Sequence, residues 1–421
     1  MIATIPLTPG VTLRCFSDTR FKQSCLSFQL VRPMCRREAT YNALLPAILL
    51  RGTQPHPDIR SITLHLDDLY GASVGTLVRR VGDYQTCGLY CGFIEDAYAM
   101  EGDAILEPMV AFLRELLLQP LTEDGVFLKD FVEGEKRNLL SAIDSQRNDK
   151  RIYAASRLRE LMCPADSFGI PRLGFREDVD AVTAEALYRH YQTILRESRI
   201  DIFYVGSVPP RQVADLLMPM LQQIPREVTV LPAQTAFHTC PGRDETEVLD
   251  VAQGKLCMGF LTPITLQDPR FAAMQICNTI LGSGMTNKLF TVIREQMSLC
   301  YDIGSGYHGS KGILTVSAGI DSNMDKTVRQ EILHQISNCQ EGNITPYELE
   351  EARQALITQL QQTHDSPVSI ENYYSTAALS GMKMTPEAYI QAVRETTLEQ
   401  VVEAANTLQL HSVYFLKGVQ A

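Results

Sequence analysis

The two halves of this 421-residue chain show the same order of predicted elements, and this internal duplication limits its possible folds more than any other feature. Each half opens with alternating, strand-like segments and closes with a helical pattern followed by one more strand. Paired segments lie roughly 210 to 225 residues apart, as a duplicated unit requires. The predicted opening strands are residues 11–16 and 24–31 in the first half, and 247–251 and 255–261 in the second.

Long helical patterns reinforce the duplication. One pattern covers residues 123–147 and resumes at Arg151, and its counterpart covers residues 347–363 and resumes at Ile370. The last predicted helix begins with Thr397 and Gln400, whose spacing fits a capping box. Because the strands are grouped and the helices follow them, the pattern favours an α+β layer over a doubly wound parallel sheet.

The predicted architecture is therefore α+β, with two homologous domains, each a mixed or antiparallel sheet covered by helices. The first domain is placed at residues 1–224 and the second at residues 245–421. A linker at 225–244 is indicated by its prolines, Pro225, Pro232 and Pro241.

Composition excludes several classes of function. The formal net charge of −11 argues against a nucleic-acid surface, which needs a basic patch. The N-terminus lacks a basic segment followed by an apolar core, and no apolar run approaches the ~20 residues that span a bilayer. We therefore expect a cytoplasmic protein with no nucleic-acid or membrane partner. The 11 cysteines are scattered singly, apart from Cys87 and Cys91, whose spacing does not fit a zinc knuckle.

The segment from residue 281 to residue 301 carries the strongest functional signal. Residues 285–287 are predicted to begin a short helix, with Arg294 near its end and Tyr301 at the start of the next strand. An arginine offers a fork of donors and a phenol offers one, so the pair suits a peptide carbonyl or carboxylate. The alternative is structural, with Arg294 bonded to helix carbonyls and the Tyr301 ring in the core.

This segment resembles the second-domain signature of the pitrilysin-type (inverzincin) zinc peptidases, which include mitochondrial processing peptidase, insulin-degrading enzyme and bacterial paired peptidases. In that family the arginine and the tyrosine contact the substrate near the cleaved bond. Lys288 and Ser298 depart from the pattern, where the family has an arginine and a glycine. The matching residues are Gly284, Leu289, Phe290, Ile293, Arg294, Glu295, Leu299 and Tyr301.

The zinc motif of that family is missing. Active members carry H-x-x-E-H on a first-domain helix, in which two histidines bind zinc and the glutamate activates water. Counted back from the Gly52-Thr53 pair, the histidine positions are Ala43 and Ala47, and the glutamate position is Pro46. The resemblance places the third ligand near residues 141–142, where this chain has Ser141 and Ala142.

Histidines elsewhere offer no substitute. No two of the eight are three to five residues apart, so no helical ligand pair is predicted. His65 and His364 lie close to aspartates in the sequence, and we interpret them as solvated or singly hydrogen-bonded side chains. We therefore predict no metal site and no catalytic residue in this chain.

The resemblance implies a non-catalytic, substrate-binding subunit of a heterodimeric zinc metallopeptidase, which forms half of a clamshell chamber. The homologous partner would carry H-x-x-E-H and the zinc, and this chain would supply Arg294 and Tyr301. Its substrates would be peptides, including the leader segments that bacterial pairs process. The family also binds peptide as an added strand at a sheet edge, for which residues 74–80 and 85–94 are candidates. The alternative is a structural pseudo-peptidase that scaffolds a complex without any proteolytic role.

Overall fold

A computed structural model describes residues 2–235, 237 and 240–419. Two sheets contain most of the strands, and a two-residue pair, β6 and β7, forms a separate hairpin. The strands are β1 (Ile2–Pro6), β2 (Val11–Ser17), β3 (Gln23–Pro33), β4 (Ser73–Val81), β5 (Tyr84–Ile94), β6 (Thr122–Glu123), β7 (Val126–Phe127), β8 (Arg199–Gly206), β9 (Asp244–Leu249), β10 (Gly254–Leu261), β11 (Cys300–His308), β12 (Ile313–Ile320) and β13 (Gln409–Gly418).

In each half, helices lie between the first strands and the following hairpin and, in a longer block, before the closing strand. Two further segments, Thr279–Ser283 and Leu289–Gln296, are π-helical. The α-helices are α1 (Arg36–Leu49), α2 (Ile59–Asp68), α3 (Leu106–Leu118), α4 (Lys129–Asn148), α5 (Lys150–Met162), α6 (Arg176–Val179), α7 (Ala184–Glu197), α8 (Pro210–Leu221), α9 (Phe271–Asn278), α10 (Asp325–Gln340), α11 (Pro346–Gln362), α12 (Pro367–Ser380), α13 (Pro386–Glu395) and α14 (Leu398–Ala405).

The two sheets repeat one topology. The first has six strands in the order β1-β2-β8-β3-β5-β4, and the second has five in the order β11-β12-β10-β13-β9. In the first sheet β2 pairs parallel to the closing strand β8, and in the second sheet the first strand, β9, pairs parallel to the closing strand β13. The remaining pairs are antiparallel. Apart from β1, every strand of the first sheet has a counterpart in the second, so the predicted α+β duplication is confirmed.

Contacts divide the chain into two compact units that are not continuous in sequence. Unit 1 contains residues 1–144, 170–233 and 364–379. Unit 2 contains residues 145–169, 234–363 and 380–421. Each unit therefore includes a helix from the other half of the sequence. The domain and linker boundaries predicted from the sequence mark the two copies of the duplicated unit. A division by contacts does not test these boundaries, so they stay a prediction.

In unit 1, helix α12 is attached to the first sheet through a buried carboxylate. Glu371 is fully buried and accepts hydrogen bonds from Ser27 (2.9 Å) and Gln29 (2.6 Å) on β3. Its other partner is Arg79 on β4, whose two guanidinium nitrogens lie 3.0 and 2.8 Å from the two carboxylate oxygens. A buried carboxylate needs such partners because an unpaired charge away from water is strongly unfavourable.

In unit 2, helix α5 occupies the corresponding place on the second sheet. It packs on β10 and β13. The Tyr153 hydroxyl donates to Glu247 (3.0 Å), which also accepts from the Tyr414 hydroxyl (2.6 Å). Arg157 donates to Glu245 at 3.0 Å. In both units, therefore, a helix from the other half of the sequence packs on the sheet.

Two sequence-based details are wrong. The helix predicted to begin at residue 123 begins at Lys129, because β6 and β7 form a tight hairpin first. Asp124 and Gly125, at its turn, have φ angles of 50° and 78°, which a helix excludes. Of the two candidate edge segments, residues 85–94 form β5, which lies between β3 and β4 inside the sheet. Of these two strands, only β4 lies at an edge of the sheet.

Three further features concern predictions made from the sequence: a helix cap, two cysteines and the length of the apolar helices. The capping box at Thr397 and Gln400 is present. Burial raises the pKa of the Cys87 and Cys91 thiols to about 12, which fits inert core residues. Within the described ranges, no helix is both long and apolar enough to cross a bilayer.

Candidate functional site

Arg294 lies in the last turn of the π-helical segment Leu289–Gln296. Asn287 begins this helix, since its side-chain oxygen accepts from the Phe290 N–H (2.8 Å) and its amide nitrogen donates to the Gly284 carbonyl (2.6 Å). The helix therefore starts just after residues 285–287, where the sequence predicts it to begin. Single π-helical turns are rare and occur frequently at functional sites.

The Arg294 side chain is exposed. Its guanidinium carbon lies 4.6 Å from the centre of the Phe290 ring, a cation–π contact that orients the fork without using its N–H donors. Among the described residues, no carboxylate pairs with Arg294 and no helix carbonyl accepts from it. The structural alternative for this residue is therefore not what is observed.

Tyr301 is placed by two irregularities in the backbone. Ser298, two residues before the strand, has a φ of 52°, in the left-handed region that favours glycine. Where β11 pairs with β12, the register then shifts between Cys300 and Asp302, so Tyr301 is the extra residue of a β-bulge. Bulges redirect a side chain relative to the regular alternation of a strand. As a result Tyr301 is 60% exposed and its ring is not in the core.

The Tyr301 hydroxyl donates a hydrogen bond to Asp321 at 3.1 Å. This bond raises the pKa of Tyr301, because loss of the phenol proton would place two negative charges together. The hydroxyl therefore keeps its proton at neutral pH and can act as a donor. Sequence reasoning missed Asp321, which lies 20 residues further along and comes close only through the β11–β12 pairing.

The zinc-motif positions lie on α1, and none of them offers a ligand atom. Ala43 and Ala47 are half-buried, and Pro46 is buried inside the helix. Ser141 and Ala142, on α4, are both exposed. Methyl groups and a proline ring cannot coordinate zinc or move a proton, so these residues do not fit the metal of the active family members. The described residues include no cluster of three His, Cys, Asp or Glu side chains suited to a metal ion.

One histidine pair lies close to this motif. The His56 Nδ1 is 2.7 Å from Glu115, and the rings of His56 and His65 are 4.6 Å apart. Burial, and then the neighbouring His56, lower the pKa of His65. Sequence reasoning missed the contact of His56 with Glu115, because 59 residues separate them. His364 contacts the Phe16 ring at 5.6 Å, and His238 lies outside the described residues.

The free edge of β4, in unit 1, is a separate candidate surface for binding peptide. β4 pairs only with β5, so every second residue directs its backbone N–H and C=O away from the sheet. The Val78 carbonyl is one of these outward groups, because it accepts a hydrogen bond from outside the sheet. Val74 and Thr76 lie two and four residues away and share its direction. Within the described part of the chain, no hydrogen bond occupies their outward groups.

Comparisons with known proteins agree with this architecture. Residues 181–356 match the family model described as "Peptidase M16 inactive domain". A Bacillus subtilis protein named "Probable inactive metalloprotease YmfF" is 28% identical over 411 residues, which cover 98% of this chain and 96% of that protein.

Solved structures show the same fold over the whole chain. A conserved protein from Enterococcus faecalis superposes with a TM-score of 0.91 at 26% identity, covering 100% of this chain and 99% of the other. A Pseudomonas fluorescens structure titled as a peptidase M16 inactive domain has a TM-score of 0.83 at 16% identity and covers the same shares of the two chains.

Proposed function

We propose that this M16-peptidase-like protein is a non-catalytic, substrate-binding subunit of a heterodimeric zinc metallopeptidase that processes or degrades peptides. One observation carries the proposal. The chain presents Arg294 and Tyr301 on its surface, while the positions of the zinc motif hold two alanines and a proline. A chain with substrate contacts and no metal ligands needs a second chain to perform the chemistry.

The partner in this proposal is a homologous subunit with an intact H-x-x-E-H motif. Its zinc and glutamate would generate the attacking hydroxide. The present chain would hold the peptide so that the scissile carbonyl meets that hydroxide in a productive geometry. The leader segments of modified peptides are one class of substrate that fits such a pair.

Arg294 and Tyr301 have distinct roles in this proposal. The guanidinium of Arg294 has its donors available for a peptide carbonyl or carboxylate. The Tyr301 hydroxyl would exchange its bond to Asp321 for one to the carbonyl under attack, where it would stabilise developing negative charge. Removing one donor of this kind typically lowers the rate by about 10² to 10³.

The edge of β4, in unit 1, would bind peptide as an added strand. Main-chain hydrogen bonds to Val74 and Thr76 would supply affinity with little dependence on peptide sequence. This matches a subunit that positions varied peptides for cleavage elsewhere.

The test is peptidase activity of the purified chain, alone and mixed with an H-x-x-E-H homologue from the same organism. Arg294→Ala and Tyr301→Phe should each lower the activity of the mixture by about 10² or more. Arg211→Ala and Tyr347→Phe are matched controls, because both residues are exposed and lie on other helices.

Each outcome has a clear meaning. Activity that appears only in the mixture, and that falls with both substitutions but not with the controls, supports the proposal. If Arg294→Ala and Tyr301→Phe leave the activity of the mixture unchanged, the chain is a scaffold. Zinc-dependent activity of this chain alone would overturn the proposal.

A further inference from the structure

One hydrogen bond from outside the sheet already occupies the free edge of β4. The Arg172 guanidinium donates to the Val78 carbonyl at 2.9 Å. The same carbonyl would accept an N–H from a strand added along β4. The Arg172 donor therefore stands where the backbone of a bound peptide would otherwise pair.

The backbone that carries Arg172 is held firmly. The Arg172 carbonyl accepts from the Gln85 side chain at 2.8 Å, and the Ile170 carbonyl accepts from Arg80 at 3.0 Å. Gly174, with a φ of 77°, packs so closely on Thr40 that an added Cβ would lie 2.1 Å from the threonine hydroxyl. The loop at 170–174 is thus fixed beside the strand.

The Arg172 side chain, by contrast, is exposed, and its bond to Val78 is the only one found for the guanidinium among the described residues. The net free energy of this hydrogen bond is of the same order as that of a bond from a peptide N–H to the same carbonyl, so displacing the guanidinium offsets the gain from pairing with Val78. A bound peptide can therefore displace the guanidinium while the backbone of the loop stays in place. The displacement lowers the affinity that the peptide gains by pairing with Val78.

We propose that Arg172 sets the length of peptide that pairs with β4, by ending the paired stretch at Thr76. This inference rests on the proposed function, since it assigns a limit to the same peptide-binding edge. The outward groups of Val74 and Thr76 accept and donate freely, and those bonds form first. A longer peptide pairs with Val78 only by displacing the Arg172 side chain. The ligand is an extended peptide, selected by the length of its paired segment and not by its side chains.

The experiment uses end-blocked, fluorescently labelled peptides of alternating threonine and valine, lengthened one residue at a time. Fluorescence anisotropy gives the Kd of each peptide for the full-length chain. For the native chain, affinity should stop rising once the peptide covers Val74 and Thr76. For Arg172→Ala, a peptide two residues longer than the one that ends at Thr76 should bind about tenfold more tightly than that shorter peptide, because two further backbone hydrogen bonds form. Arg211→Ala, an exposed arginine on α8, is the control and should keep the native length profile.

A second variant tests the placement on β4. The Thr76 N–H points away from β5, so Thr76→Pro removes an outward donor and leaves the β4–β5 pairing intact. This variant should weaken the binding of every peptide, whereas Thr76→Val keeps the N–H and should bind as the native chain does.

Three results would overturn the inference. The dependence of Kd on peptide length could be identical for the native chain and Arg172→Ala, Thr76→Pro could leave every Kd unchanged, or no peptide could bind to the native chain or to any variant. All of these measurements use this chain alone. Failure of the partner's peptidase assay is therefore a separate result, which bears on the proposed function and not on the role of Arg172.

Discussion

Ser298 shows how one residue can keep a motif's geometry without keeping its most suitable amino acid. The resembling signature has glycine at this position, and the structure gives the reason, since the backbone there has a φ of 52°. A serine in this conformation costs roughly 1 kcal/mol. The chain retains the turn nevertheless, and with it the bulge that exposes Tyr301. The sequence could predict that Arg294 and Tyr301 flank a helix end, but not the turn and bulge that direct the tyrosine outward.

His190 makes stability depend on pH. Its Nε2 lies 2.7 Å from the Asn42 side-chain oxygen, and burial lowers the pKa of His190 to about 4, despite the nearby Glu38. In the unfolded chain the histidine has an ordinary pKa of ~6.5. Between that pH and the lower pKa of the folded state, His190 is protonated in the unfolded chain and neutral in the folded chain. The stability contributed by neutral His190 is thus complete above about pH 6.5 and decreases as the pH falls towards 4.

We expect the free energy of unfolding to fall by about 3 kcal/mol across this window because of His190. Urea denaturation at a series of pH values measures the effect, and His190→Gln should flatten the slope. His334→Gln, at an exposed histidine on α10, is the control and should leave the slope unchanged. Equal slopes for the native chain and His190→Gln would contradict this prediction.

At the scale of elements, local pattern was sufficient for most strands and for the Thr397 capping box. It failed where the choice depended on distant contacts. Residues 123–127 fall within the predicted helix but belong to a hairpin. Nothing in the sequence of α12 shows that it packs on a sheet built about 340 residues earlier, where Ser27 contacts Glu371. Periodicity identifies a helix and its apolar face, but it does not identify the sheet that covers that face.

The attachment of α12 predicts an asymmetric response to mutation. Glu371 is fully buried, whereas the Arg79 side chain is 25% exposed. Arg79→Ala leaves a buried carboxylate without its counter-ion, and should lower the free energy of unfolding by about 3–5 kcal/mol. Glu371→Gln should cost less, because the amide oxygen can still accept from Ser27 and Gln29, while Arg79 reaches water.

Chemical denaturation gives the size of each effect, and amide hydrogen exchange along α12 locates it. Arg60→Ala removes an exposed arginine from α2 and should change stability by less than about 0.5 kcal/mol. If Glu371→Gln were the more damaging of the two substitutions, the buried carboxylate would not be the group that needs compensation.

At the scale of the whole molecule, the duplication could be predicted from the sequence, but the exchange of helices could not. Unit 1 needs residues 364–379 to cover an apolar cluster on its sheet. In that cluster Ile370 and Tyr374 of α12 pack against Phe16 and Phe203. The fragment 1–233 alone should therefore expose this face, bind a hydrophobic dye and melt without a cooperative transition.

Fusing residues 364–380 to that fragment through a flexible glycine-serine linker should restore a cooperative transition and lower dye binding. A fused segment carrying Ile370→Asp and Tyr374→Asp is the matched control, because charges at these buried positions prevent docking. Cooperative melting of the unfused fragment would show that α12 is dispensable to unit 1.

The late position of α12 also affects folding during synthesis. Residue 233 leaves the ribosome more than a hundred residues before residue 364 does. At ~5–20 residues per second, the last helix of unit 1 is synthesised roughly 7–30 s after the sheet that it covers. During that interval Phe16 and Phe203 remain open to water and to other nascent chains. The nascent protein thus presents a chaperone-binding face that the finished protein no longer has.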